Sequence, residues 1–329
     1  MRFILIILLG FAVSCAGRKN YTSQVKAPQK SVNNALNFFK SPQSFDIEDA
    51  KAGETGISVR NGLLTFDIKD WPPQFKDFLA KEFSKLDFYE TVVKYLDGIY
   101  LGSFKANSEK VDSSHLNGMT LNLSSNGKMI VILNSDLVLS PRKHIGNLDK
   151  TYDDVQTQFL KIDGYDLAIV TLVHELFHVL DFGMYILDNA DGAFSDRDKL
   201  LSLSWRADNG NIVSKFKLPQ PVNIEIKDEH SVSMFLKETI RYDRELRLNT
   251  NFIHEKATTN FIEDFAVSLT TYYLHTRYHT PTEEFTIYSD AQNNNAIYRS
   301  SDVDIMKIEK NRLKVCSHAE LILKEKCRI

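Results

Sequence analysis

The segment Tyr165–Phe182, YDLAIVTLVHELFHVLDF, constrains the fold of this chain more than any other. It is apolar almost all round a helical wheel, the pattern of a helix buried on every side. Yet its middle carries His174, Glu175 and His178. Burying two imidazoles and a carboxylate is costly unless something satisfies them, and a metal ion does so. Residues four apart leave the same helix face about 6 Å apart along the axis. His174 and His178 can therefore take adjacent corners of a zinc tetrahedron. Glu175 sits about 100° round the helix from His174, poorly placed as a third ligand and well placed to hold and deprotonate a water. One Zn2+ per chain is the expectation.

A catalytic zinc needs a third protein ligand and an open fourth position. The extended string HExxHxxGxxH is excluded, because Asp181 and Met184 stand where it has Gly and the last His. The better candidate is Glu263, in Asn260-Phe-Ile-Glu-Asp-Phe-Ala-Val-Ser near the start of a helix expected over Thr259–Arg277. Asn260 with Glu263 three residues on is also a capping box, so the two readings compete. Glu255, Glu238 and Asp188 are less well placed substitutes. Asp181 shares the ligand face of the helix, about 20° from His174. There it would orient a ligand imidazole, or else end the helix as a solvated carboxylate.

Residues 1–14 read as a secretory signal: Arg2, the apolar run Phe3–Val13, then the small-residue region Ser14-Cys15-Ala16. The run is too short to span a bilayer as a helix. Residues 15–43 are polar, contain Pro28 and Pro42, and read as a flexible tether reaching about 30 Å. Of the three cysteines, Cys316 and Cys327 form an even pair near the C-terminus, plausible as a disulfide in an oxidising compartment. The net charge of −3 offers no case for nucleic-acid binding.

Residues 44–329 are enough for one large domain, or for an N-terminal lobe to about 183 and a C-terminal lobe after it. Helical periodicity runs through Gln74–Leu96. Met119–Leu123 and Lys128–Leu133 flank Ser125-Asn126-Gly127 as a hairpin, and the edge of the second strand could hold an extended peptide by strand addition. Asn189–Pro221 reads as mostly irregular, and Ser231–Leu248 as a helix whose Glu238, Arg241, Arg244 and Glu245 form a solvated face. A small sheet over the motif helix with a helical C-terminal lobe defines an α+β fold.

The HExxH string with a distant glutamate in a Glu-Asp-Phe-Ala setting resembles the gluzincin zinc metallopeptidases, and implies a zincin-like catalytic domain. Asp181 makes the string HExxHxxD, similar to the lethal-factor and Mlc titration factor peptidases. The likeness covers two short patches. It implies zinc on His174, His178 and Glu263, with Glu175 as general base cleaving a protein or peptide substrate. The oxyanion stabiliser does not carry over. The lethal-factor pattern has a tyrosine seven residues before its ligand glutamate, where this chain has Lys256; thermolysin-like enzymes have Asp four residues after theirs, where this chain has Val267. Tyr272, Tyr273, His275 and Tyr278 are the candidates left on the later helix. His275 and His279 repeat the i, i+4 spacing without a following glutamate and read as an exposed helix end. Ala12-Val13-Ser14-Cys15 resembles a bacterial lipoprotein signal with Ala where Leu is usual. That implies lipidation of Cys15, export, and a membrane anchor facing the periplasm or cell surface. The alternative is a non-catalytic surface lipoprotein that binds a partner or cell-wall component and holds zinc only structurally.

Overall fold

The computed structural model describes residues 29–45, 50–52, 64–106, 116–123, 127–139, 159–163, 166–184, 186, 199–209, 211–220, 222–224, 229–278, 284–288, 296–299 and 309–323. The expected signal, Cys15, Asp188, His279 and Cys327 lie outside these. Helix α1, Gln29–Leu36, begins inside the stretch expected to be tether. Ala35 and Phe39 are buried, Phe39 meets Trp71 edge-on at 5.1 Å, and the Trp71 indole N–H donates to Lys40 O at 3.0 Å. Residues 29–45 thus belong to the folded body. Their apolar side chains supply burial worth about 1.5–3 kcal/mol each, which a polar tether lacks.

The central sheet has the order β1 (Ala50–Ala52), β4 (Gly118–Leu123), β5 (Met129–Asn134), β3 (Leu96–Ala106), β2 (Leu64–Lys69). β3 and β5 run parallel and the other neighbours antiparallel. β4 and β5 pair antiparallel, as expected of this hairpin, with Gly127 at φ +66 ahead of β5; residues 124–126 lie outside the described residues. β5 is central, so the edge expected along Lys128–Leu133 is already paired on both sides. The single helix expected over 74–96 is instead α2, Pro73–Phe83, and the one-turn α3, Tyr89–Val92, while Leu96 opens β3. Packing overrides periodicity here: Phe83, Leu86 and Phe88 all turn into the core, Phe83 against Tyr89 and Phe88 against Phe177, each at 4.9 Å.

After the short α4, Ser135–Val138, and β6, Phe159–Asp163, comes α5, Leu167–Met184. Asp166 caps it, its Oδ1 accepting from Ala168 N at 2.9 Å. Every residue from Leu167 to Asp181 is buried. α5 packs on β4 and β5 on one side and on α8, Phe261–Tyr278, on the other. It is apolar and long enough to cross a membrane, but it is a core helix.

Asn189–Pro221 is less irregular than expected. It holds α6, Lys199–Ser204, and the hairpin of β7, Trp205–Asp208, with β8, Asn211–Ser214, turned through Asn209 at φ 50. On α7, Glu229–Asn249, Arg241 lies 2.8 Å from both Glu238 and Glu245 in solvent. β9, Glu284–Tyr288, lies between β6 and β10, Ala296–Arg299. Helix α9, Glu309–Leu323, packs on α6 and α8, and its Cys316 is disulfide-bonded. The fold is mixed α+β.

Candidate metal centre

Two helices and one turn build the site. α5 projects His174 and His178 from one face, their rings edge to face with centroids 4.7 Å apart. α8 supplies Glu263 in its first turn. Asn260 caps α8 alone, its Oδ1 accepting from Glu263 N at 2.9 Å, so the Glu263 carboxylate turns to the histidines. Its Oε2 lies 3.2 Å from His174 Nε2 and its Oε1 3.6 Å from His178 Nε2. The two Nε2 atoms are 3.2 Å apart. The cap and the ligand readings of this segment are therefore both satisfied, by different residues.

These distances allow a test of fit. With zinc–ligand bonds of about 2.0–2.1 Å, a tetrahedron has donor–donor edges of about 3.3–3.4 Å. The separation of the two imidazole nitrogens, 3.2 Å, is close to that value, and Glu263 brings Oε2 to 3.2 Å from His174 and its other oxygen, Oε1, to 3.6 Å from His178. Glu263 Oε2 is buried and faces His174 and the Lys256 ammonium, and both imidazoles are buried. Converging lone pairs repel unless a cation stands among them; the Lys256 ammonium lies against two of the groups, and two imidazoles with a carboxylate are also a donor set that fits a divalent ion. Burial, with the Lys256 ammonium adding to it, pulls the His174 pKa down to about 3, which leaves the ring neutral. For His178, burial pulls down but the Glu263 and Glu175 carboxylates outweigh it. Burial alone would raise Glu263; Lys256 and the two imidazoles hold it well below the usual carboxylate range.

Glu175 borders this cluster and is itself buried. Burial pushes its pKa up, against the pull of His178 and Lys256. The hydroxyl of Thr120 on β4 lies 2.9 Å from Glu175 Oε2 and 3.0 Å from Glu175 O. Gly118 permits this approach: a Cβ there would stand 2.7 Å from Thr171 Cγ2 and 2.9 Å from Glu175 Cγ. The sequence reading missed both residues. The signal for Thr120 was its place in the hairpin strand, two residues from Gly118 on the same face.

The turn Glu255–Thr258 before α8 adds Lys256, whose Nζ is 3.1 Å from His174 Nε2 and 3.3 Å from Glu263 Oε2. The proposed oxyanion candidates do not join it. Tyr272, Tyr273 and His275 lie about 13–18 Å along α8 from Glu263. The Tyr273 hydroxyl serves Asp87, accepting from its N–H at 3.2 Å, and His275 is exposed; the Tyr278 side chain lies outside the description. Asp181 is buried, not solvated. His178 Nδ1 has no hydrogen-bond partner among the described residues, so Asp181 does not orient that ring. Glu238 is engaged with Arg241, and Glu255 is not among the converging donors. Comparison with protein-family models, with curated proteins and with solved structures gives no match to this chain.

Proposed function

We propose that this chain is a zinc-dependent endopeptidase with a zincin-like catalytic domain, exported and held at a bacterial envelope by a lipid on Cys15. The observation that carries the catalytic part is the convergence of His174, His178 and Glu263, one donor atom each within 4.8 Å of the others, beside a buried Glu175. When bound, the zinc would supply a Lewis acid that acidifies water and polarises a carbonyl. Glu175 takes the proton of the attacking water as the new C–O bond forms on the scissile carbonyl carbon. It then gives that proton to the amine as the C–N bond breaks. Thr120 holds Oε2, which leaves Oε1, beside Gly118, for the water.

An extended substrate has a strand to pair with. Asn117 O accepts from Asn134 N across the hairpin, so the alternating ladder turns the backbone groups of Gly118 and Thr120 to the outer side of β4. β1 covers only Leu121–Leu123 of that side among the described residues. The peptide edge is thus assigned to β4 in place of β5. The signal and lipidation rest on the sequence of residues 1–15 alone. A non-catalytic, partner-binding lipoprotein would leave Glu175 and its Thr120 bond without a role.

The test is zinc content by elemental analysis, together with hydrolysis of a denatured protein substrate, for the wild type and Glu175→Gln. Near one zinc in both, with turnover in the wild type alone, supports the assignment. Retained activity in the variant would sink it.

A further inference from the structure

Resting on the metal reading above, we propose that Lys256 is a catalytic residue, the cationic partner of the oxyanion that forms on the scissile carbonyl. Its ammonium lies 3.1 Å from His174 Nε2 and 3.3 Å from Glu263 Oε2. It thus stands over the edge of the donor triangle formed by these two groups, on a side chain 35% exposed where Glu263 is 17% and His178 2%. That edge faces outward, where a substrate must arrive.

The backbone that carries Lys256 is pinned. Lys256 N donates to His254 Nδ1 at 3.1 Å, Ala257 N donates to His254 O at 3.0 Å, and the Thr258 hydroxyl donates to Glu255 O at 2.7 Å. Ile253 and Ala257 on either side are buried. A flexible four-carbon stem on a fixed turn keeps its charge beside His174 and Glu263 while leaving the ammonium free to adjust.

The charge arithmetic favours an electrostatic role over ligation. A divalent ion repels the ammonium in the resting state. An oxyanion developing beside the ammonium would add an attraction absent before it forms, so the interaction is stronger in the transition state than in the ground state. Tyr272 and Tyr273 lie about 13–15 Å along α8 from Glu263, and Lys256 fills the role.

The experiment uses the full mature chain loaded with Zn2+ or, for spectroscopy, Co2+. Lys256→Met, Lys256→Gln and Lys256→Arg are compared with the wild type, with circular dichroism to show that each is folded; Gln serves should Met not fold. Zinc affinity is read by competition with a chromophoric chelator. Inorganic phosphate, an anion, and imidazole, a neutral ligand, are titrated against the cobalt absorption spectrum. We expect the uncharged variants to bind zinc at least as tightly as the wild type, to bind phosphate about tenfold more weakly, and to bind imidazole unchanged. Arg restores phosphate binding. Equal phosphate affinity in wild type and Met variant overturns the proposal and leaves the metal centre standing. A tenfold loss of zinc affinity in the uncharged variants also overturns it, by making Lys256 a ligand. No metal in the wild type overturns the metal centre itself, and the lysine's role with it.

Discussion

The Thr120 hydroxyl reaches both the backbone oxygen of Glu175, at 3.0 Å, and its carboxylate Oε2, at 2.9 Å. One hydroxyl proton serves one acceptor at a time, so Thr120 ties the helix and the carboxylate of the proposed base to β4 with a single group. Thr120→Val keeps the shape and removes the donor. Support of this kind for a site is worth roughly 10–100-fold. The expected result is a fall of that order in kcat with zinc content unchanged, measured on the substrate that the activity screen identifies. Wild-type kcat in Thr120→Val would reduce the contact to packing.

Gly118 lets α5 approach β4. In Gly118→Ala the new Cβ meets Thr171 Cγ2 at 2.7 Å and Glu175 Cγ at 2.9 Å. Overpacking of a close-fitting interior costs about 1–3 kcal/mol, read as a lowered urea midpoint. Thr171→Ser removes the nearer of the two atoms. The double variant should therefore recover part, not all, of the loss. Additive losses in the double variant would place the strain elsewhere.

Asn260 and Glu263 divide the work at the start of α8, and their variants should separate. Asn260→Ala loses the cap to Glu263 N, at about 1 kcal/mol of stability, with zinc retained. Glu263→Ala removes one of three donors and should lower zinc affinity by roughly two orders of magnitude or more. Chelator competition and thermal melting on both proteins check this. Full zinc affinity in Glu263→Ala would move the third ligand to another residue.

The parts of the site that were legible in the sequence are those with a period or a local partner. His174 and His178 sit four apart in a buried helix, and Glu263 follows its own cap. Thr120 was not legible. Alternation in Met119–Leu123 suggests a polar face in solvent, but this sheet is buried on both faces: Met119 and Leu121 pack with Ile130 and Ile132, while Val131 and Leu133 join the core that holds α5. Lys256 and Lys314 escaped for a different reason. A lysine defaults to the surface, and only tertiary contact can place one beside an imidazole or in the interior. α1 was lost to composition, because its polar residues outnumber the few apolar ones that dock.

Lys314 on α9 and Asp264 on α8 are both fully buried and form an ion pair, with Lys314 also donating to Asn251 O at 2.7 Å. Trp205 Nε1 and Ser268 Oγ donate to the Asp264 carboxylate at 2.9 and 3.2 Å. Burial drives both charges towards neutrality, raising Asp264 and lowering Lys314 against their mutual attraction. Removing one partner of such a pair costs about 3–5 kcal/mol, because the other charge is left unpaired. Lys314→Met should therefore be strongly destabilised in urea, and Lys314→Met with Asp264→Asn less so than the single variant. A double variant that is worse than Lys314→Met would show that Asp264 serves Trp205 and Ser268 more than it serves the lysine.

His254 gives the zinc-free protein a pH dependence of known sign. Burial, helped by Arg247 and Lys256, pulls its pKa from 6.5 down to about 3, and its Nδ1 must stay unprotonated to accept from Lys256 N. Between those two values the unfolded chain takes up a proton that the folded chain refuses. Stability thus falls as pH drops through 6.5 and stops falling from this cause near 3. The depressed His174 acts in the same direction, and the raised His178 against it, so the wild-type curve alone does not isolate His254. His254→Asn keeps a side-chain acceptor for the turn and cannot titrate. Melting temperatures of zinc-free wild type and His254→Asn, taken from pH about 7.5 to 4.5 across that window, should converge as pH falls, the variant losing less. Curves that stay parallel would mean that His254 is equally easy to protonate in the folded and unfolded chain.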